Sequence, residues 1–219
     1  MQRWFCVFVL ALVGTAALAQ QTSTPGQQWD ERFSRGMYLY GKEPVAFLKD
    51  QVPNLRVGKA LCLAAGEGRN AVYLAQEGFD VVAVDASAKG LAKASALAEE
   101  RGVSIATEVA DLREYDLGVE QYDLVTDFYY HQPDLFPKVM RALKPGGFFV
   151  LQGFSIDQPN TNRFGPRNPE FLVKPNELVA EFEGHRIRYY EDTVVELDEG
   201  MHKGPGAVVR LIVEKVPLP

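Results

Sequence analysis

Lys59-Ala-Leu-Cys-Leu-Ala64-Ala65-Gly66-Glu67-Gly68-Arg69-Asn70 is the stretch on which the fold turns. Residues 59–64 are an apolar run that stops at glycines, the pattern of a buried strand entering a tight loop. Glu67 to Gln76 takes helical spacing, with Ala71, Leu74 and Ala75 on one face, and Gly78 suits its C-terminal cap. A second strand, Asp80-Val-Val-Ala-Val-Asp85, follows and ends in an acid. Glycines let the backbone approach a ligand, and the helix start offers unpaired N–H groups. A carboxylate closing the second strand can accept both hydroxyls of a ribose. Strand, glycine loop, helix, strand and terminal acid together point to an adenosine-containing cofactor.

The alternation continues outward. Ser87 caps a helix carrying Leu91, Ala94, Leu97 and Ala98, which Gly102 closes. Strands are predicted at Val103–Val109, Tyr122–Asp127 and Phe148–Phe154, with a helix at Pro133–Leu143 and a turn at Lys144–Gly147. Near-continuous apolar strands alternating with helices mean a parallel sheet covered on both faces. After Phe154 the chain becomes rich in Pro, Asn, Gly and Arg, and a helix is predicted at Asn176–Phe182. His185–Leu197 and Ala207–Lys215 read as an antiparallel hairpin, with Gly200, Gly204, Pro205 and Gly206 in the connection. The predicted fold class is α/β: a Rossmann-like three-layer sandwich with a seven-stranded, mostly parallel sheet and a C-terminal antiparallel hairpin.

The chain has 219 residues, 47% hydrophobic and 24% charged, which suits one soluble domain and excludes a disordered or multi-span protein. A net charge of −6 argues against a sequence-independent nucleic-acid binder. Met1-Gln-Arg3 followed by the uncharged run Trp4–Ala19, ending Ala17-Leu18-Ala19, reads as a secretory signal cut after Ala19. The run is short for a membrane span, so no stable anchor is expected once it is removed. Cys6 leaves with it, and Cys62 remains without a disulfide partner. Gln20–Gln28 reads as a flexible linker, and 29–219 as the domain, with Trp29–Gln51 as a short helix, a loop and a second helix forming a lid.

Several other patterns are incomplete. Gly36–Gly41-Lys42 is followed by Glu43, where a phosphate-binding loop needs Ser or Thr. Gly153-Phe-Ser155-Ile-Asp157 lacks the last glycine of a nucleophile elbow. His131, His185 and His202 are far apart and make no zinc spacing. Gly66-x-Gly68-x-x-Ala71 also fits the dinucleotide pattern, so a nicotinamide oxidoreductase is the alternative, although the chain leaves little room for a second catalytic domain. Tyr38-x-x-x-Lys42 has a reductase spacing but precedes the first strand.

Leu61–Asn70 resembles the glycine-rich motif of class I S-adenosylmethionine-dependent methyltransferases, and Val82-Ala-Val-Asp85-Ala-Ser their ribose motif. Ala110-Asp111-Leu112 resembles the motif beside the adenine, Tyr122-Asp-Leu-Val the fourth strand, and Leu143-Lys-Pro-Gly-Gly147 the turn before the fifth. Trp29-Asp-Glu-Arg-Phe33 and Tyr40-Gly41 resemble the subgroup of tellurite-resistance and thiopurine methyltransferases. The resemblance covers about residues 29–215. It implies the strand order 3-2-1-4-5-7-6 and methyl transfer from S-adenosylmethionine to a small-molecule acceptor; a monomer is expected. Two positions depart from the family: Cys62 replaces the usual strand acid, and Ala64 the usual first glycine. The acid's absence keeps a third alternative open, a domain that binds an adenosine ligand without turnover.

The cofactor-binding candidates are Gly66, Gly68, Asp85, Ala86, Asp111, Leu112 and Asp127. The catalytic candidates are Tyr130, His131 and His202. Tyr130 and His131 end the fourth strand, where ligands bind in such sheets, and the subgroup resemblance places a His followed by a basic residue, here His202-Lys203, near the acceptor. Arg163 and Arg167 could hold an anionic acceptor. No metal is called for. Export would take the domain away from the cytosol, where its cofactor is made. Sequencing the N-terminus of the mature protein should give Gln20 outside the cytosol; an intact Met1 or Gln2 on cytosolic protein would refute export.

Overall fold

A computed structural model describes residues 23–161 and 164–216. The signal segment, the start of the linker and Arg163 lie outside them. The described residues form one sheet of seven strands: β1 (Lys59–Leu63), β2 (Asp80–Asp85), β3 (Ala106–Val109), β4 (Tyr122–Phe128), β5 (Leu143–Phe154), β6 (Arg186–Glu199) and β7 (His202–Glu214). Their order is β3-β2-β1-β4-β5-β7-β6. The first five are parallel, and β7 runs antiparallel to both β5 and β6. The expected fold class and strand order are both observed.

Side chains of successive strand residues go to opposite faces, and here both faces are packed. Leu61, Leu63, Val84, Val125, Phe149 and Leu151 enter one core with Val139 of helix α5 (Phe136–Ala142) and, beyond the short α6 (Gln158–Thr161), Leu178 of α7 (Glu177–Glu181). Ala60, Cys62, Val81, Ala83, Leu124 and Val150 enter the other. That second core includes Phe47 of α2 (Ala46–Gln51), Leu74 of α3 (Arg69–Gln76) and Leu91 of α4 (Ala88–Glu100). The strict alternation makes a three-layer sandwich. It also places the carboxyl ends of β1, β2, β4 and β5 along one rim.

Some boundaries differ from expectation. Residues 25–28 are not linker but the start of α1 (Pro25–Phe33). Thr24 and Gln27 form a reciprocal capping box, and Pro25 occupies the first turn, where its missing N–H costs nothing. The third strand is shorter than predicted, Ala106–Val109. Lys144–Gly147 is absorbed into β5 at a register shift between Tyr122 and Leu124. Gly204, Pro205 and Gly206 lie within β7; the hairpin turns at Gly200-Met201, so His202 begins a strand instead of sitting in a loop. Pro205 faces Glu196 of the edge strand β6.

Ala64 is more than a small-for-small replacement. Its φ is +46°, a left-handed conformation that an L side chain resists. Ala64→Gly should therefore stabilise the fold by about 1 kcal/mol, read as a higher urea midpoint. Gly68→Ala should do the opposite and more severely. Its φ is +87°, and an added Cβ would lie 2.4 Å from Ala94 Cβ.

Candidate active site

The loop between β1 and α3 crosses the sheet rim in a chain of left-handed residues: Ala64, Gly66 at φ +54° and Gly68 at φ +87°. Asp85 closes β2 beside it. Its Oδ2 accepts the Gly66 N–H at 2.7 Å and its Oδ1 accepts the Ser87 N–H at 2.8 Å. Burial raises the Asp85 pKa against those two bonds. A carboxylate has about four acceptor positions, so two remain for the hydroxyls of a ribose.

The other predicted cofactor residues surround this corner. Asp111 follows β3, and the Arg113 guanidinium bonded to it holds its carboxyl below the usual range. Asp127, on β4, is buried and accepts the Tyr130 N–H at 3.2 Å; burial pushes its pKa well up. Leu112 is buried in the core rather than lining an open surface. Ala86 lies against α1, so closely that a Cβ on Gly26 would sit 2.5 Å from its carbonyl oxygen. Tyr130 shares the electrostatic surroundings of these acids: burial, then Asp127, Asp111 and Asp85, push its hydroxyl up to about 12, with Arg113 opposing.

Tyr129 has φ +65°, an outlier for an aromatic residue. The kink separates two neighbouring rings. Tyr130 packs towards the α5 side of the sheet, while the Tyr129 hydroxyl reaches Glu199 at 3.0 Å.

Glu199 closes β6 and is nearly inaccessible. It also pairs with Arg69 Nη2 at 2.9 Å, and Arg69 Nη1 donates to the Tyr40 carbonyl at 2.9 Å. Behind Tyr129, Gln152 Nε2 donates to its hydroxyl, and Arg210 Nε donates to Gln152 Oε1 at 2.8 Å. Buried charge is tolerated only when paired and bonded in this way.

Sequence reasoning missed the duties of the polar loop residues. Glu67 Oε2 accepts the Leu39 N–H at 2.7 Å, and its Oε1 meets Lys93 Nζ at 2.7 Å. Asn70 Oδ1 accepts the Val45 N–H at 2.9 Å. Asp30, on α1, accepts from Ser87 Oγ at 2.6 Å and from the Lys89 N–H at 2.9 Å. The Phe33 ring reaches Gly66 and Gly90. Residues 24–51 thus lie over the glycine loop and the start of α4. The sequence signals were the polar residues within and just after the glycine pair, Glu67 and Asn70, and the Asp30 and Ser87 pair, whose partners are distant in the chain.

The three catalytic candidates do not form one cluster. His131 Nε2 lies 3.1 Å from Glu177 Oε1, beside the Phe136 ring. His202 is ringed by Tyr40, Tyr129, Phe154 and Phe164, with centroids 4.9–5.4 Å away. Burial, then the Arg69 charge, push its pKa down to about 4. Lys203 pairs with Asp198, and Arg167 is exposed. Cys62 is buried, its thiol pushed up to about 12 by burial, and hence inert. Among the described residues no cluster of His, Cys, Asp and Glu could hold a metal.

Residues 60–147, from β1 to the turn before the main run of β5, match the family model of a methyltransferase domain. Over this part the chain is similar to methyltransferase domains. An uncharacterised methyltransferase from Synechocystis sp. is 37% identical over 116 residues, covering 49% of this chain and 51% of that protein. The probable S-adenosyl-L-methionine-dependent methyltransferase TehB of Haemophilus influenzae is 24% identical over 154 residues, 67% of this chain and 52% of TehB. The chain spans about half the length of the curated relatives it matches. In solved structures, TehB from H. influenzae superposes with a TM-score of 0.65 at 18% identity, over 87% of this chain and 66% of that one. The [4+2]-cyclase SpnF also gives 0.65, at 16% identity over 87% and 94%. These solved structures share the fold of this chain, and S-adenosylmethionine is the cofactor the matches imply.

The neutral His202 ring carries a testable cost. Its Nδ1 is buried with no hydrogen-bond partner among the described residues. A histidine whose folded pKa is near 4 binds a proton more weakly than the unfolded chain, near 6.5. Stability should therefore be full above pH 6.5 and fall between about pH 6.5 and 4, by about 2–3 kcal/mol. His202→Phe should flatten that acid limb in urea titrations while keeping the near-neutral stability. An unchanged limb would refute the assignment.

Proposed function

We propose that the protein transfers a methyl group from S-adenosylmethionine to a small-molecule acceptor. The observation that carries this reading is the corner where the left-handed Gly66–Gly68 loop meets Asp85, with the Tyr130 N–H bonded to Asp127 at the end of β4. The residues fit the cofactor. Gly66 and Gly68 bring no side chains of their own to the corner, which Phe33 covers at Gly66, and Asp85 retains acceptor capacity for the ribose. Asp111 would lie beside the adenine, with Leu112 next to it packed in the core. When bound, S-adenosylmethionine supplies an activated methyl group on a sulfonium.

The chain's own part is mostly alignment. Holding two reactants in an in-line arrangement is worth several kcal/mol of barrier. Gly66, Gly68 and Asp85 would fix the cofactor, while the end of β4 would orient the acceptor. The aromatic faces of Tyr130 and its neighbours suit a sulfonium cation. Residues 29–51, drawn down by Glu67, Arg69 and Asn70, would serve as the cover that excludes water. We favour a monomer acting on a small molecule, since nothing in the charge pattern suits a nucleic acid.

The matches do not favour the nicotinamide alternative. Binding without turnover has one supporting observation: the position of the usual strand acid is the buried, uncharged Cys62.

Calorimetric titration of the full chain should show S-adenosylhomocysteine binding and no NADH binding. Asp85→Ala should weaken the former at least tenfold with the fold intact by circular dichroism. Labelled methyl from S-adenosylmethionine should appear on at least one member of a panel of thiols, phenols, amines and oxyanions. Binding without any transfer would favour the non-catalytic reading, and NADH binding alone would overturn both.

A further inference from the structure

We propose that His131 and Glu177 form a proton-accepting pair for the methyl acceptor, His131 Nδ1 being the atom that takes the proton. The acceptor then belongs to the class that still holds a dissociable proton at neutral pH: a hydroxyl, a phenol or an amine. This rests on the methyl-transfer reading above and deepens it.

The geometry assigns the protons. His131 Nε2 lies 3.1 Å from Glu177 Oε1, and both side chains are largely buried. The other carboxylate oxygen, Oε2, accepts the Lys174 N–H at 2.8 Å, so Glu177 is held at both oxygens. An ionised carboxylate only accepts. Nε2 therefore carries the ring proton, and in the neutral ring Nδ1 is a bare lone pair. That Nδ1 is buried and has no hydrogen-bond partner among the described residues. A buried acceptor without a donor is costly and needs a reason. A base awaiting its substrate's X–H is such a reason, because catalytic hydrogen bonds often form only in the loaded complex.

Position supports the assignment. His131 follows Tyr130, which lies in the field of Asp85, Asp111 and Asp127. It stands just beyond the carboxyl end of β4, next to the point where strand order reverses between β1 and β4. Glu177 opens α7, which follows β5 along the same rim.

Comparison with the other two histidines isolates it. His185 and His202 also have a buried, unpartnered Nδ1. Among the described residues neither has a carboxylate on its other nitrogen, and the cation near each, Lys215 or Arg69, opposes protonation. The charges facing His131 are Glu177 from α7, which favours the imidazolium, and Lys174 from the preceding segment, which disfavours it; burial is the larger influence and keeps the ring neutral. Phe136 of α5 covers one side without charge.

The step balances simply. The acceptor's X–H bond breaks, its electron pair stays on X, and the proton goes to Nδ1. X then bonds the methyl carbon as the carbon–sulfur bond gives its pair to sulfur. The imidazolium, stabilised by Glu177, later returns the proton to water. Glu177 is a positioning residue: it fixes the tautomer and supports the charge.

The test uses the full chain with phenol, which keeps its proton at pH 7.5, and thiophenolate, which has already lost it. Nitrogen-15 spectra should show His131 as the Nε2-protonated tautomer at neutral pH, with or without S-adenosylhomocysteine. His131→Ala should lower kcat on phenol about 100-fold and change thiophenolate turnover less than threefold. Glu177→Gln should lower phenol turnover about tenfold and shift the acid limb of its pH profile to lower pH, and Glu177→Asp should recover part of the rate. An Nδ1-protonated ring overturns the proposal, as do equal losses on both probes or a wild-type chain that does not methylate phenol. Titration with S-adenosylhomocysteine separates the two failures: no binding removes the methyl-transfer reading itself, whereas intact binding with a base-independent rate removes this pair alone.

Discussion

One buried carboxylate, Glu199, holds together parts of the chain that the sheet alone would leave independent. It accepts from Arg69, at the first turn after the glycine loop, and from Tyr129, at the kink beyond β4. Through the other arm of Arg69 it reaches the Tyr40 carbonyl. Met201, two residues on, donates its N–H to the Leu39 carbonyl at 2.9 Å. The cofactor loop, the wall beyond β4, the N-terminal cover and the tip of the C-terminal hairpin thus share a single charged junction. A buried pair of this kind adds little net stability, yet removing one member leaves a naked charge that costs roughly 3–5 kcal/mol. The arrangement therefore rewards completeness, and it fixes Tyr129 in a backbone conformation it would not adopt unaided.

Much of the fold was legible because it depends on local pattern. The apolar runs at Lys59–Leu63 and Asp80–Asp85 alternate between two cores, and Ser87 caps α4 as its position suggests. The hairpin turn was misplaced because Gly204, Pro205 and Gly206 are turn residues by propensity. β7 tolerates them through its pairing with β5 and β6. The helix at Pro25 was missed although its signal, Thr24-Pro25-Gly26-Gln27, is a local one; the polar composition around it suggested a linker instead.

The site was legible where it depends on backbone and illegible where it depends on distant partners. Gly66, Gly68 and Asp85 follow from the strand–loop–helix pattern. Glu177 does not, because its pairing with His131 joins segments 46 residues apart around the whole of β5. Nor does the fate of His202, whose isolation results from rings contributed by Tyr40, Tyr129, Phe154 and Phe164. A sequence displays which groups can ionise; the fold decides which keep a partner.

The hydrogen bonds of Glu67, Arg69 and Asn70 alter what a motif means. All three lie inside the glycine-rich signature by which such domains are recognised, yet their side chains are spent on Leu39, Tyr40 and Val45. Only the glycines and the backbone between them remain for a ligand. Part of what reads as a cofactor fingerprint is thus a docking code for the protein's own amino-terminal segment. A chain could keep that code under selection for its cover alone, and a domain starting after residue 45 would carry the full signature with Asn70 deprived of the Val45 N–H, Glu67 left with Lys93 and Arg69 with Glu199.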